Sequence, residues 1–249
     1  MSPAFKVVIP ARYESVRFPG KPLADIHGRP MIQWVHECAL QSGAAEVIVA
    51  TDNIRIGMAA EDFGATVCMT GSQHASGTDR IGEVVDKLAW ADDTIVVNLQ
   101  GDEPLTPPEI IRQVATNLQQ HADADCATLY APLTAAEDVG DPNTVKLVFD
   151  NRGYALYFSR AAIPHQRDAE AGAPQFYRHI GMYAYRASLL KQYSQLPPSP
   201  LEQYEKLEQL RLLANGLRIH VDAAQRLPGA GIDTPADLER VKSLLPAPS

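Results

Sequence analysis

Short apolar runs alternate with amphipathic segments along the first part of the chain. Four runs rich in β-branched residues predict buried strands, at 5–9, 46–50, 65–69 and 94–99. The intervening segments have the pattern of helices, and the first of them opens with Pro30, a residue favoured in a first helical turn. Strands that alternate with helices at this spacing predict an α/β fold, a Rossmann-like, doubly wound and mostly parallel sheet.

The alternation is lost in the middle of the chain. Two apolar runs at 144–149 and 154–158 flank a turn, and a third follows at 180–185. We therefore expect an antiparallel portion at about 125–185, inserted between the last parallel strand and the final helices. The whole chain, 1–249, is predicted to form one domain.

Three later helices are predicted to begin with the same sequence pattern, in which a hydroxyl residue is followed by proline and then by a carboxylate. These starts are at Thr106, Ser199 and Thr234, and the helices are predicted to run to about 120, 215 and 245. A hydroxyl cap of this kind stabilises a helix by about 1 kcal/mol.

The loop after the first strand is unusually basic for this chain. It carries Arg12, Arg17 and Lys21 against one acid, Glu14. Cations at the carboxyl end of a first strand suit a polyphosphate, and a proline-stiffened solvated loop is the alternative. Lys21 is followed by proline, so the loop is not of the Walker type, and no GxGxxG fingerprint is present.

The overall composition is acidic, which makes the basic loop more informative. Lys and Arg number 22 against 30 Asp and Glu, a formal net charge of −8, which argues against nucleic acid as a partner. Three cysteines without short spacing favour reduced thiols over disulfides or a zinc site. No apolar run approaches the ~18 residues of a membrane span, and the chain enters its first strand with no signal peptide. We therefore expect a cytoplasmic protein without membrane insertion.

Two acidic residues are candidates for a metal site. Asp102 follows the fourth strand, within Gln100-Gly101-Asp102-Glu103-Pro104, where an α/β sheet presents ligand-facing groups. Asp233 precedes the predicted cap Thr234 and is not needed for capping. Together they could hold Mg²⁺, which favours one or two carboxylates plus phosphate oxygens. An Asx turn at Asp102 is the alternative.

Three further segments have both a functional and a structural interpretation. The stretch 74–80 could present backbone amides to a ligand or be a capped helix start. Arg160 and His179 could supply cationic ligands for a carboxylate or face solvent at strand ends. Glu208, spaced with its neighbours at helical intervals, could belong to a solvated, salt-bridged face.

At the level of motifs the chain resembles the 3-deoxy-D-manno-octulosonate (Kdo) cytidylyltransferases, the CMP-Kdo synthetases of Gram-negative bacteria. The resemblance covers about 5–245 and rests on motifs that occur in this order: Ile9-Pro10-Ala11-Arg12, Arg17-Phe18-Pro19-Gly20-Lys21-Pro22-Leu23, Ala50-Thr51-Asp52, Ser76-Gly77-Thr78-Asp79-Arg80, Asn98-Leu99-Gln100-Gly101-Asp102-Glu103-Pro104, Tyr157-Phe158-Ser159-Arg160 and Glu208-Gln209-Leu210-Arg211. The first loop and the Gln-Gly-Asp-Glu-Pro segment are specific in combination. Each alone also occurs in CMP-sialate synthetases and other sugar nucleotidyltransferases.

The resemblance implies a nucleotide-diphospho-sugar transferase fold and a reaction, in which CTP and Kdo give CMP-Kdo and pyrophosphate for lipopolysaccharide biosynthesis. It implies that Arg12 and Lys21 hold the triphosphate while Asp102 and Asp233 bind Mg²⁺, in a two-metal arrangement that acidifies the attacking sugar hydroxyl. It also implies that the antiparallel portion forms a homodimer contact.

Two pockets follow from the same resemblance. The nucleotide pocket is expected to comprise Ala11, Arg12, Lys21, Ser76, Gly77, Arg80 and Gln100. The sugar pocket is expected to comprise Arg160, His179, Tyr183, Glu208 and Gln209, with Arg160 opposite the sugar carboxylate. The alternatives are a CMP-activating enzyme for another 2-keto acid sugar, sialate-like or 8-amino-Kdo, and a non-catalytic nucleotide-binding regulator.

Overall fold

A computed structural model of the chain describes residues 4–14, 18–74, 76–134, 136–168 and 174–246. The predicted cation Arg17 lies outside the described residues. No helix in the described ranges is long and apolar enough to cross a membrane.

One large sheet organises the described part of the chain. Its central path runs β11-β7-β10-β6-β1-β4-β5, and neighbouring strands are parallel except where β10 meets β7 and β6. A hairpin of β8 and β9 attaches to β10, and a separate two-stranded hairpin is formed by β2 and β3. The strands are β1 Phe5–Ala11, β2 Asp25–Ile26, β3 Arg29–Pro30, β4 Glu46–Thr51, β5 Thr66–Met69, β6 Ile95–Asn98, β7 Cys126–Pro132, β8 Lys146–Phe149, β9 Ala155–Ser159, β10 Tyr177–Arg186 and β11 Ile219–Ala223.

Helices cover both faces of this sheet because successive strand residues point to opposite sides. Val7 and Ile9 of β1 belong to one core with the first, second and fourth helices, whereas Val8 belongs to a second core with the third, sixth and eighth. The helices are α1 Met31–Gln41, α2 Ile54–Asp62, α3 Gly77–Lys87, α4 Pro108–Gln120, α5 Ala136–Gly140, α6 Ala187–Tyr193, α7 Pro200–Glu205, α8 Gln209–Ala214 and α9 Pro235–Leu244. The predicted α/β fold with a mostly parallel sheet is confirmed.

The predicted helix caps are right at two positions and wrong at one. Ser199 and Thr234 accept hydrogen bonds from the amides of Glu202 and Asp237. Thr106 does not cap α4, whose cap position is Pro107. The Thr106 hydroxyl instead donates to Glu103 at 3.4 Å, because the helix begins at Pro108 and Thr106 lies one residue before its cap position.

The helix predicted from Ser199 to about 215 is two helices. Lys206 adopts a left-handed conformation, with φ 54°, and separates α7 from α8. The carbonyl of Glu205 accepts a bond from the Arg160 side chain at 2.7 Å instead of continuing the helix. Residues 206–208 therefore form a bend that interrupts the predicted helix.

The sequence pattern also missed the β2–β3 hairpin and two strands of the main sheet, β7 and β11, which pair in parallel beyond β10. The antiparallel β10 consequently lies inside the main sheet, between β6 and β7. The boundaries of an inserted portion at 125–185 and its role in a dimer stay predictions.

Candidate active site

The basic loop and the Gln100–Asp102 segment meet because β1 and β6 are adjacent parallel strands. Their carboxyl ends lie at one edge of the sheet, where such folds place ligand sites. Gly101 makes this approach possible, since an added Cβ would lie only 2.9 Å from the carbonyl oxygen of Pro10. The strand ends thus form a continuous surface.

Lys21 lies at the centre of this surface, in a single 3₁₀ turn, Lys21–Leu23. The turn follows Gly20, whose φ of +71° is readily adopted by glycine and whose amide donates to Tyr13 at 2.8 Å. The Lys21 ammonium contacts Asp102 Oδ2 at 2.5 Å and Asp233 Oδ1 at 3.5 Å. One cation therefore bridges the two carboxylates that were predicted to share a metal.

A backbone contact explains how Asp233 reaches Asp102 from so far along the chain. The amide of Ile232 donates to the carbonyl of Asp102 at 2.9 Å, and the Ile232 carbonyl accepts from the Lys21 ammonium at 2.8 Å. Ile232 is itself fully buried, so the segment is anchored by packing. Thr234 then caps α9, as predicted, which leaves Asp233 directed toward Lys21.

The residues at these strand ends line a cavity of about 280 Å³, the strand-end cavity. Its lining includes the predicted nucleotide residues Ala11, Arg12, Lys21, Gly77 and Gln100, together with Asp102. The cavity lining thus combines two cations, Arg12 and Lys21, with two carboxylates, Glu14 and Asp102.

Ser76 and Arg80, also predicted for this pocket, do not line it. The Ser76 hydroxyl caps α3 by accepting from the Asp79 amide at 3.1 Å. Arg80 is fully buried and binds Thr70 and, at 3.2 Å, Asp52. Arg80 therefore ties α3 to the ends of β4 and β5, and its buried guanidinium is not part of the cavity lining.

The two carboxylates suit Mg²⁺, since both are hard oxygen ligands that one cation already reaches in this structure. The described residues contain no group of three or more His, Cys, Asp or Glu side chains that could hold a metal. Asp102 and Asp233 would therefore hold the ion together with oxygen ligands from outside the protein, such as phosphate.

A second cavity of about 320 Å³ adjoins the first and shares Gly77 and Gln100 with it. We call it the bulge cavity. Its lining includes four of the five residues predicted for the sugar, with further polar groups that the sequence reasoning missed. The predicted residues are His179, Tyr183, Glu208 and Gln209, and the missed ones include Asn98, Tyr185, Tyr193 and Lys206.

An irregularity in β10 shapes this cavity. The register with β7 shifts between Ile180 and Tyr183, and Gly181 in the bulge lines the wall. The buried hydroxyl of Thr128 contacts the carbonyls of Ile180 at 3.1 Å and Met182 at 2.8 Å. The hydroxyl has one proton, so it donates to one of these carbonyls at a time and holds the bulge in place.

His179 is neutral at physiological pH and does not supply the cation that was predicted. Its ring packs edge-on against Phe158 and Tyr183, and its Nε2 lies 3.0 Å from the Thr128 hydroxyl. Burial lowers the pKa of His179 from 6.5 to about 3. The residue can offer a hydrogen bond to a ligand but no charge.

Two polar atoms in this lining lack partners among the described residues. The Tyr183 hydroxyl and the Gln209 amide nitrogen are buried without a hydrogen bond, although the Thr128 hydroxyl is near the former. Tyr183 is 7% exposed and Gln209 8% exposed. Buried polar groups are normally paired, so these atoms are suited to a ligand that carries several hydroxyl or carboxyl oxygens.

Glu208 lies in the bulge cavity because the chain bends between α7 and α8. Its carboxylate accepts from Thr78 at 3.4 Å, and desolvation, with repulsion from Asp79, raises its pKa. Arg211 pairs with Glu202 of α7 at 2.6 Å instead. Glu208 is itself exposed, as the solvated alternative implies, but it belongs to the bend between two helices and not to one salt-bridged helical face.

Arg160 does not line the bulge cavity. Its guanidinium donates to the carbonyls of Glu205 at 2.7 Å, Pro142 at 2.8 Å and Lys206 at 3.5 Å. It lies behind the bend, since these carbonyls end α7. A contact with a sugar carboxylate would require the guanidinium to leave them.

Comparison with known proteins identifies the family of this chain. A family model described as cytidylyltransferase matches residues 6–219. The chain belongs to the cytidylyltransferase family. It is a nucleotidyltransferase, and the expected enzyme class is thus confirmed.

Curated relatives match over nearly the whole chain. Proteins named 3-deoxy-manno-octulosonate cytidylyltransferase are 56% identical in Idiomarina loihiensis and 57% identical in Vibrio campbellii, and each alignment covers 97% of this chain and 98% of the relative. The relative from Haemophilus influenzae is 53% identical, over 98% of this chain and 99% of its own length.

Two solved structures share the fold. A CMP:2-keto-3-deoxy-manno-octonic acid synthetase complexed with CTP superposes with a TM-score of 0.90 at 48% identity, covering 97% of this chain and 98% of the other. A cytidylyltransferase from Leptospira borgpetersenii, at 17% identity and a TM-score of 0.62 over 96% of this chain and 85% of the other, supports the fold alone.

Proposed function

We propose that this cytidylyltransferase transfers CMP from CTP to Kdo, releasing pyrophosphate and supplying CMP-Kdo for lipopolysaccharide biosynthesis. The observation that carries the proposal is the junction of two chemically different cavities at Gly77 and Gln100. The names of the curated relatives and the CTP-bound structural neighbour support it.

The strand-end cavity suits the triphosphate. Arg12 and Lys21 are the cations of its lining, and each can neutralise phosphate oxygens and the charge of the departing pyrophosphate. When the nucleotide binds, the Lys21 ammonium exchanges Asp102 and Asp233 for phosphate, which ends its ion pairs with both carboxylates. Bound there, Mg²⁺ would supply Lewis-acid polarisation of the phosphate and acidification of the sugar hydroxyl.

The bulge cavity suits the acceptor sugar. Tyr183 and Gln209 offer buried hydrogen-bonding atoms that have no partner within the described chain, and neutral His179 adds a further polar edge. Glu208 can accept hydrogen bonds from sugar hydroxyls. The hydroxyl that attacks the α-phosphate lies where the cavities join, so the protein acts mainly by positioning both substrates.

The proposal is tested by measuring pyrophosphate release with CTP, Mg²⁺ and a panel of acceptors, namely Kdo, 8-amino-Kdo and sialate. We expect release that depends on all three components and is fastest with Kdo. If sialate or 8-amino-Kdo is preferred, the proposed acceptor is wrong but the proposed reaction, CMP transfer with release of pyrophosphate, is retained. CTP binding without release for any acceptor would refute the transferase activity and favour the regulator.

A further inference from the structure

A buried lysine behind the bulge cavity has no role in the chemistry proposed above. Lys146 of β8 is fully buried, and it lines neither of the two cavities. Its ammonium lies 2.9 Å from the carbonyl of Asp141, 2.6 Å from that of Thr144 and 2.6 Å from that of Arg160. An ammonium has three protons, so each carbonyl can accept one of them.

This arrangement is unusual because the charge has no ion-pair partner. No carboxylate of the described residues lies within ion-pair distance of Lys146. A buried cation is costly unless hydrogen bonds compensate it, and here three backbone carbonyls do so, while the Asp141 and Glu205 carboxylates act on the ammonium from beyond ion-pair distance. The three carbonyls belong to the loop before β8 and to the residue after β9, so the lysine joins both ends of the hairpin.

The contact with Arg160 extends to the wall of the bulge cavity. The Arg160 amide donates to the Glu205 carboxylate at 2.9 Å, and the neighbouring Ser159 hydroxyl donates to the same carboxylate at 2.6 Å. The Arg160 guanidinium binds the carbonyls of Glu205 and Lys206. These bonds hold the end of α7, and the next residues along the chain, Leu207 to Gln209, line the cavity.

We propose that Lys146 is a positioning residue for the acceptor sugar. Its ammonium, enclosed by three carbonyls, fixes Arg160, and Arg160 in turn fixes the bend that presents Glu208 and Gln209. The inference rests on the proposed function, since it assumes that the bulge cavity takes the acceptor. Among the described residues, neither Lys146 nor Arg160 has a hydrogen bond to a residue that lines the strand-end cavity, so we expect nucleotide binding to depend little on Lys146.

The test is steady-state kinetics of Lys146→Met, in which a thioether side chain fills nearly the same volume without the ammonium. Loss of several charge-assisted hydrogen bonds is expected to raise the KM for Kdo by about tenfold, with the KM for CTP nearly unchanged. Ammonium chloride is expected to restore part of the loss by placing a cation among the three carbonyls. Tetramethylammonium chloride, which has no N–H donor, is not.

Lys191→Met is the matched control, because Lys191 is a partly exposed lysine that pairs with Asp92 at 2.6 Å. Wild-type enzyme without Kdo-dependent turnover would refute the proposed function rather than this inference. With active wild type, an unchanged KM for Kdo in Lys146→Met, or an equal rise in both KM values, overturns it.

A second variant covers the case in which Lys146→Met does not fold. Lys146→Gln keeps two N–H donors without the charge and is measured in the same way. If it folds and its KM for Kdo is unchanged, the proposal is wrong. If neither variant folds while Lys191→Met does, the proposal is also wrong, because Lys146 would then be required for folding of the whole domain and not for positioning the sugar site.

Discussion

The two cavities are adjacent, yet they are built in opposite ways. The strand-end cavity holds its polar side chains as charge pairs, with Lys21 bound to Asp102 and Asp233. The bulge cavity has two exposed charged side chains, Lys206 and Glu208, but its buried groups are neutral or unpartnered. Burial lowers the pKa of His179, and the Tyr183 hydroxyl is buried without a hydrogen bond. One cavity is therefore arranged for a highly charged ligand and the other for a ligand rich in hydroxyl groups.

This difference has an energetic consequence. The charged side chains at the strand ends are expected to stabilise the transition state once phosphate and a metal ion replace the ion pairs of the free protein. Substitutions there should therefore change catalysis strongly. Neutral hydrogen bonds in the bulge cavity contribute about 0.5–1.5 kcal/mol each, so substitutions there are expected to have moderate effects. The following experiments challenge that division.

Asp102→Asn is expected to have the largest effect. Removing one of the two metal-binding carboxylates should lower Mg²⁺-dependent turnover by at least about 100-fold, while the unfolding temperature changes little because Lys21 keeps its bonds to Ile232 and Asp233. Pyrophosphate release and circular dichroism measure the two properties. Asp93→Asn, an exposed control, should be unaffected, and normal turnover of Asp102→Asn would disprove the metal assignment.

Arg80→Met is expected to have the next largest effect, and it acts mainly on stability. The buried guanidinium binds Asp52, and removal of one partner of a buried ion pair costs about 3 kcal/mol in the free energy of unfolding. The KM for CTP should also rise, because Gly77 follows the cap that Arg80 supports.

Urea unfolding and CTP titration measure both effects. Arg226→Met is the control, since Arg226 is 68% exposed. Unchanged stability would show that Arg80 does not tie the strand ends together.

His179→Gln is expected to change how stability depends on pH. The folded-state pKa of about 3 lies below the ordinary value of 6.5, so between these values the unfolded chain binds a proton that the folded chain does not. Wild-type stability should therefore fall as pH falls below about 6.5, and His179 contributes at most about 1.4 kcal/mol per pH unit.

The variant should show a shallower loss, measured by urea unfolding from about pH 7 to about pH 5. His165→Gln, at an exposed position, should keep the wild-type slope. An identical slope for His179→Gln and wild type would mean that His179 protonates freely in the folded protein.

Tyr183→Phe is expected to have the smallest effect. It should weaken acceptor binding without lowering stability. Loss of one neutral hydrogen bond to the acceptor should raise the KM for Kdo by about fivefold, with the KM for CTP unchanged. The unfolding temperature should stay the same or rise, because the hydroxyl is buried without a partner in the free protein. A clear loss of stability, absent from the 84% exposed control Tyr204→Phe, would contradict this.

The strand-end cavity could be predicted because its chemistry is local. Arg12 and Asp102 each lie a few residues after an apolar, β-branched run, and Lys21 follows a glycine in the same loop as Arg12. Once the strands are known to be parallel, this places all three at the same edge of the sheet. Thr234 correctly predicted the start of α9 for the same reason, since a capping hydroxyl bonds an amide only three residues further along the chain.

The bulge cavity could be predicted only in part. The alternating tyrosines Tyr183 and Tyr185 point to one face of a strand, a signal that would have added Tyr185 to the predicted lining. Nothing in the local pattern marks the bend at Lys206, which depends on carbonyl groups that bind Arg160 from another strand.

The sequence by itself determined the α/β class, the parallel strands β1, β4, β5 and β6, and the acids and cations at their ends, since periodicity and turn chemistry act over a few residues. Only the tertiary structure decided that Arg80 is buried, that Asp233 reaches Lys21, and that β10 enters the sheet antiparallel with a bulge. Burial and register arise from contacts between segments far apart in the chain, and no local pattern encodes those contacts.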